Sequence, residues 1–192
     1  MKKLIGPKKI KTAVFISGTG SNLNNLIKFS KTKNSPISIN LVISNTKKAK
    51  GLSYADKFNI KRKVINFQIK KYAEKKILSE IKKNNIKLIC LAGFMKILSS
   101  IFIKKFNEKI LNIHPSLLPK YKGLNTHERV IKNKEKFSGC TVHFVSEKLD
   151  SGKIIMQKKV KITKNENINS LSKKILKQEH KLYPAAIMKI LN

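Results

Sequence analysis

The sequence predicts an α/β protein built on a doubly wound, mostly parallel sheet, with an antiparallel β extension and a long C-terminal helix. Short apolar runs alternate with helical patterns from the start of the chain to its middle, which is typical of parallel sheets covered on both faces. The run Leu88 to Leu91 is apolar at every position, as expected for a strand buried on both faces. After Gly123 the alternation ends, and two strand-like runs precede a long amphipathic pattern.

The first half of the chain supplies the parallel sheet. Its first predicted strand, Thr12 to Ser17, runs into a small-residue turn, and a helix follows from about Leu23 to Lys33. A later helix places Ala73, Ile77 and Ile81 on one face. The remaining predicted elements are, in order, the strand Ile37 to Ser44, the short helix Lys50 to Phe58, the weak strand Val64-Ile65, the helix Lys70 to Asn84, the strand Leu88 to Leu91, the helix Ser99 to Phe106 and the strand Lys109 to Ile113.

The second half supplies the extension. A helix is predicted from Thr126 to Lys134, and the β-rich runs Gly139 to Val145 and Lys153 to Ile162 follow it, with turn residues between them. The last helix is predicted from Asn167 to Leu191, where Pro184 is expected to break or kink it. Since no linker, repeat or domain boundary interrupts the pattern, we predict one domain over residues 1–192.

The net charge of +33 is extreme, yet it does not predict a nucleic-acid site. Arg62 and Arg129 are the only arginines, whereas base-edge recognition favours the bidentate arginine fork. The lysines are spread along the whole chain among Ile and Asn, a texture that codon bias produces without function. We therefore expect small-molecule partners, no specific nucleic acid, and either a monomer or a homodimer.

The cellular setting is predicted from cysteines and apolar runs. Cys90 and Cys140 lie far apart in apolar runs, so they indicate buried free thiols in a reducing cytoplasm and no metal site. The basic opening Met1 to Ile5 is followed by Gly6, Pro7 and more lysines, which argues against a signal peptide. No run reaches the length of a membrane span.

The turn Gly18-Thr19-Gly20-Ser21-Asn22 follows a strand and opens a helix. Small residues let backbone approach a phosphate, and a helix start adds oriented N–H groups. A dinucleotide site is disfavoured because Leu23 occupies the third glycine position and Asp56 is the first acidic residue. We expect a monophosphate site, with an ordinary βα turn as the alternative.

The most informative segment is Asn112 to Gly123, which reads Asn-Ile-His-Pro-Ser-Leu-Leu-Pro-Lys-Tyr-Lys-Gly. It places an amide and the imidazole of His114 at a strand's carboxyl end, where α/β sheets bind ligands. An amide can donate to a developing oxyanion and an imidazole can move protons near neutral pH. The pair suggests acyl-type transfer without a metal or a covalent nucleophile; a structural buried histidine is the alternative.

Three further features give weaker evidence for a functional site when each is taken alone. Asp150 lies in a turn that could reach the loop of His114, although such a sequence is more often only a turn. The segment Gly93 to Leu98 could accept a flat heterocycle or be a packed hydrophobic turn. Glu179 is by default a solvated helix residue. The other three histidines, His127, His143 and His180, are individually uninformative.

Together these segments closely resemble the phosphoribosylglycinamide formyltransferases, folate-dependent enzymes of purine synthesis with a Rossmann-like formyltransferase fold. The resemblance covers about Thr12 to Pro184. Its motifs are Ile16 to Asn22, Leu91 to Leu98, Asn112 to Gly123, Gly139 to Val145 and Gln178-Glu179-His180. The Asn-x-His-Pro-Ser-Leu-Leu-Pro motif is specific to the wider formyltransferase superfamily, and Gly-Ser-Asn narrows the resemblance to this member.

The resemblance implies formyl transfer from 10-formyltetrahydrofolate, a co-substrate, to the amine of N1-(5-phospho-D-ribosyl)glycinamide. By that analogy Asn112 stabilises the oxyanion, His114 moves protons, and Asp150 favours the charged form of His114 and helps to seat the folate. The other implied contacts are Gly20, Ser21, Asn22 and Glu179 to the ribonucleotide, and Lys70, Met95, Lys96, Ile97, Leu98 and Asn112 to the folate.

Two departures and two alternatives accompany the resemblance. Lys96 occupies a position that is arginine in many relatives, and Lys70 best matches a folate-side arginine of some relatives. Lysine keeps the positive charge at both positions but lacks the bidentate geometry of arginine. Methionyl-tRNA formyltransferases share the Ser-Leu-Leu-Pro loop, but they carry a C-terminal β-barrel domain and lack Gly-Ser-Asn. Formyltetrahydrofolate hydrolases usually carry an N-terminal regulatory domain, which is not expected here.

Overall fold

The computed structural model describes residues 9–191 and contains thirteen elements within them. In chain order they are β1 (Ile10–Ile16), α1 (Ser21–Ser30), β2 (Ile37–Ser44), α2 (Leu52–Lys57), β3 (Lys61–Val64), α3 (Lys70–Lys83), β4 (Leu88–Leu91), α4 (Ser100–Phe106), β5 (Lys109–His114), α5 (Thr126–Lys132), β6 (Phe137–Phe144), β7 (Ile154–Lys161) and α6 (Ile168–Leu191). The segment Met1 to Ile5, on which the signal-peptide prediction depends, lies outside the described residues.

The strands form one sheet in the order β3-β2-β1-β4-β5-β6-β7. The pairs from β3 to β5 are parallel, and β6 and β7 are added antiparallel. The predicted fold class, including the antiparallel extension and the long last helix, is confirmed. Chain order reverses between β1 and β4, the switch point beside which open α/β sheets bind their ligands.

The sheet is buried on both faces, and β1 shows how the sequence achieves this. Val14 and Ile16 point to a core that is shared with α1, α5 and α6. Their neighbours Ala13 and Phe15 point to a second core beneath α3 and α4. All four are fully buried, so the continuous apolar run follows from helices on both faces.

Two local predictions differ from the structure. The third strand is Lys61–Val64 rather than Val64-Ile65; it is an edge strand whose first three residues are exposed, so no apolar run marks it. The last helix continues through Pro184, and the predicted break is wrong. Tyr183 and Ile187, on either side of the proline, are fully buried, and such packing holds a helix together despite one missing N–H.

The thiols of Cys90 and Cys140 are free and buried, as predicted. Burial raises the pKa of both thiols to about 12, so neither is an activated nucleophile. Among the helices of residues 9–191, none is long and apolar enough to cross a membrane.

Candidate active site

A cavity of about 640 Å³ opens at the carboxyl ends of β1, β4 and β5. It lies at the switch point of the sheet and brings together segments that are distant in sequence. Its lining consists of residues 17–22, 91–98, 112–115, 123–127, 143 and 145–150, together with Ser172, Leu176 and Glu179 of α6. Every predicted site residue except Lys70 therefore lines this one cavity.

The turn after β1 forms one end of this cavity. Gly20 precedes α1 and has a left-handed backbone with φ of 76°. A Cβ on Gly20 would lie 2.5 Å from the Cα of Gly51, whereas a Cβ on Gly18 would have no heavy atom within 4 Å. Gly20 is thus required by conformation and by close packing. The start of α1 directs free N–H groups toward the cavity end, an arrangement suited to an anion.

A buried carboxylate stands beside that turn. The Asn22 amide nitrogen donates to Glu179 Oε2 at 2.7 Å, and Glu179 is only 6% exposed, so its default assignment as a solvated residue is wrong. Burial raises the pKa of Glu179, and the hydrogen bond from Asn22 opposes this rise. Asn22 Oδ1 is buried without a protein partner among the described residues. Both side chains therefore offer acceptor atoms to a polar ligand.

Asn112, His114 and Asp150 lie together in the centre of the cavity. His114 Nδ1 is 3.4 Å from Asp150 Oδ2, and the Asn112 amide nitrogen is 3.5 Å from Asp150 Oδ1. The Gly123 backbone N–H donates to Asp150 Oδ2 at 2.8 Å, which fixes the carboxylate. The structure brings these side chains together, while their roles stay predictions.

The contacts of His114 indicate where its protons lie. Its Nε2 is 2.8 Å from the Tyr121 carbonyl oxygen, and because a carbonyl only accepts, Nε2 carries a proton. Its Nδ1 faces the Asp150 carboxylate, which can accept a hydrogen bond whenever Nδ1 carries a proton. The two contacts together orient the ring between the Tyr121 carbonyl and Asp150.

The segment after β4 forms the opposite wall. Met95 and Ile97 are 60% and 59% exposed and line the cavity, so the alternative of a turn packed into the core is wrong for these side chains. The Met95 N–H donates to Ser17 Oγ at 2.8 Å. Lys96 also lines the cavity, whereas Lys70 begins α3 outside the lining, and its folate contact stays a prediction.

Sequence reasoning missed three residues of the site. His143, judged uninformative, is the direct cross-strand partner of Asn112. His127 lines the cavity, and its pKa is lowered by burial and then by the nearby charge of His114. Ser17 connects the two walls, since it accepts from Met95 and donates to Asn45 Oδ1 at 2.5 Å. Within residues 9–191 no cluster of His, Cys, Asp or Glu is arranged to hold a metal ion.

The fold and the cavity together define an α/β protein whose ligand site joins a small-residue helix start to the cluster of Asn112, His114 and Asp150. The model of the formyl transferase family matches residues 10–187. The chain therefore belongs to the formyl transferase family.

Several known members of this family have sequences or structures similar to this chain. The chain is similar to phosphoribosylglycinamide formyltransferase of Haemophilus influenzae, with 42% identity over 92% of this chain and 85% of that protein. It is also 44% identical to the human trifunctional purine biosynthetic protein adenosine-3 over 94% of this chain, but it spans only 18% of that protein's length. The crystal structure of phosphoribosylglycinamide formyltransferase from Brucella melitensis shares 39% identity and a TM-score of 0.91, with 96% of each chain covered.

Proposed function

We propose that this chain transfers the formyl group of 10-formyltetrahydrofolate to the amine of N1-(5-phospho-D-ribosyl)glycinamide, a step of purine biosynthesis. The observation that carries the proposal is the position of Asn112, His114 and Asp150 between an anion-binding helix start and an apolar wall in one cavity. The relatives named phosphoribosylglycinamide formyltransferase support it.

The two walls suit the two substrates. The ribose phosphate lies at the turn of Gly20, Ser21 and Asn22, where N–H groups at the start of α1 meet its charge. Glu179 accepts from a donor of the ribonucleotide, which compensates for the burial of the carboxylate. The pterin ring lies against Met95 and the following residues, where exposed apolar side chains remove its faces from water.

The transfer step balances without an enzyme nucleophile. The substrate amine attacks the formyl carbon, a C–N bond forms, and the carbonyl oxygen gains negative charge that Asn112 meets with an amide hydrogen. The bond from the formyl carbon to N10 of the folate then breaks. The amine loses one proton and N10 gains one, and His114 carries that proton while Asp150 holds its ring in place.

The direct test mixes the protein with 10-formyltetrahydrofolate and the glycinamide ribonucleotide, and follows tetrahydrofolate and the formylated product. We expect stoichiometric formation of both. Turnover only with initiator tRNA or with water as the acceptor would refute the proposal and favour the related tRNA formyltransferase or hydrolase reaction. Cytoplasmic location, a single functional domain and the oligomeric state stay predictions.

His114→Ala tests the proposed proton transfer. Loss of a positioned acid–base group costs about 10²–10⁴-fold in kcat, while the phosphate turn is untouched, so binding of the ribonucleotide should persist. Single-turnover kinetics and equilibrium titration separate the two effects. Normal turnover by this variant would refute the assignment of His114.

A further inference from the structure

The amide of Asn112 has two ends of similar shape and opposite hydrogen-bonding character, so its neighbours decide which end faces which way. Its nitrogen is 3.2 Å from His143 Nε2 and 3.5 Å from Asp150 Oδ1. Asn112 and His143 face each other directly across the antiparallel pair of β5 and β6. A carboxylate oxygen only accepts, so Asp150 favours the nitrogen end, but its contact is long at 3.5 Å. The orientation of the amide therefore depends mainly on whether His143 Nε2 donates or accepts.

The contact of the other ring nitrogen, Nδ1, shows which nitrogen of His143 carries the proton. Its Nδ1 is 2.8 Å from the Phe144 carbonyl oxygen, which only accepts, so the proton lies on Nδ1. The ring is 2% exposed, and burial lowers the pKa of His143, partly opposed by Phe144 and Asp150 and aided by His114. A lowered pKa leaves the ring uncharged at neutral pH, and Asp150 Oδ1, 3.7 Å from Nε2, lies beyond hydrogen-bond distance. Nε2 therefore presents a lone pair to the amide.

Two acceptors, His143 Nε2 and Asp150 Oδ1, therefore face the same end of Asn112. If the amide were reversed, its oxygen would point at both acceptors and lose both contacts. The observed orientation uses one N–H on His143 at 3.2 Å, and the second N–H has only the long 3.5 Å contact to Asp150. This second N–H is the one that is left to donate to a developing oxyanion.

We propose that His143 is a positioning residue that fixes the Asn112 amide with its donor end toward the reacting carbonyl. The inference rests on the proposed formyl transfer and assigns His143 no contact with either substrate. Without its acceptor the amide would populate both orientations, and one of them would direct an oxygen at the negative charge of the transition state. The loss should therefore appear in kcat and not in the KM of either substrate.

Two matched variants separate this role from packing. In His143→Asn the shorter amide occupies the place of Nδ1, can still donate to the Phe144 carbonyl, and does not reach Asn112. In His143→Gln the amide oxygen extends to the place of Nε2 and can accept from Asn112. Both replacements are uncharged amides in the same buried position, so a purely structural role predicts that the longer side chain gives no advantage.

We expect His143→Asn to lose about 10–100-fold in kcat, part of the roughly 10²–10³-fold that a lost oxyanion donor costs. His143→Gln should turn over at least about fivefold faster than His143→Asn, with each KM within about twofold of the wild type for both variants. Circular dichroism and urea titration confirm that each variant is folded. Equal kcat for the two variants, or a loss carried by KM, would overturn the proposal.

A double-mutant cycle with Asn112→Ala completes the test. If His143 acts only through the Asn112 amide, His143→Asn should cost less than about twofold in the Asn112→Ala background. A loss there as large as in the wild-type background would overturn the positioning role, even with the proposed function intact. Absence of formyl transfer in the wild-type protein would instead refute the proposed function, so the two failures are distinguishable.

Discussion

Gly20→Ala should destabilise the protein strongly, because two independent costs coincide at that position. The left-handed backbone, with φ of 76°, costs a non-glycine residue about 1–2 kcal/mol. The new Cβ would lie 2.5 Å from the backbone Cα of Gly51, and overpacking of this kind costs about 1–3 kcal/mol. The sum is a loss of about 2–5 kcal/mol in the free energy of unfolding.

Gly18→Ala is the matched control for this prediction. It lies in the same turn, has no positive φ, and its Cβ would meet no heavy atom within 4 Å. Its effect on the free energy of unfolding should stay within about 0.5 kcal/mol. Urea unfolding of both variants measures the difference, and Tm should fall by about 2–4 °C for each kcal/mol lost. Equal stability of the two variants would refute the account of the turn.

Three more predictions concern the cavity walls. Glu179→Gln should stabilise the substrate-free protein at pH 7, because the replacement removes a charge that burial disfavours. Because burial raises the pKa of Glu179, its contribution to stability is present below the unfolded pKa near 4.5 and lost as pH rises through the folded value; a stability gap that does not widen with pH would contradict this. Ser17→Ala removes the hydrogen bond to Met95 and should raise the KM for the folate about fivefold, from a loss of about 1 kcal/mol, while that for the ribonucleotide changes less. Lys96→Ala should weaken folate binding more than Lys70→Ala, since only Lys96 lines the cavity; the reverse order in equilibrium titrations would restore Lys70 to the site.

The parts of the site on parallel strands were predictable from sequence because their positions follow from topology. Carboxyl ends of parallel strands meet at one edge of the sheet, so the segments after β1, β4 and β5 had to share a cavity. The burial of Glu179 was harder to predict, because two features of the sequence give opposite expectations. It lies four residues after Ile175 and three before Leu182, both buried, so helix periodicity places it on the apolar face, while residue-type statistics favour solvent.

His143 could not be found in this way. Its place opposite Asn112 depends on the register between β5 and β6, and a shift of one residue would turn its side chain to the other face of the sheet. Alternation within Gly139 to Val145 predicts a strand but contains no information about its partner. Lys61–Val64 was missed for a related reason, since a lysine-rich edge strand buries too little to leave an apolar pattern.

The parallel half and the antiparallel extension of the sheet contribute different parts of the site. The parallel half offers backbone and walls, with the α1 start at one end and the segment after β4 at the other. β5 of that half carries Asn112 and His114, and the antiparallel extension supplies their polar neighbours: β6 carries His143 opposite Asn112, and the connection to β7 carries Asp150 beside His114. An antiparallel partner matters because it lies directly against the end of β5, whereas another crossover helix would pack on a face of the sheet. The extension therefore adds a carboxylate and a second imidazole to an α/β ligand site, beside the amide and the imidazole at the end of β5.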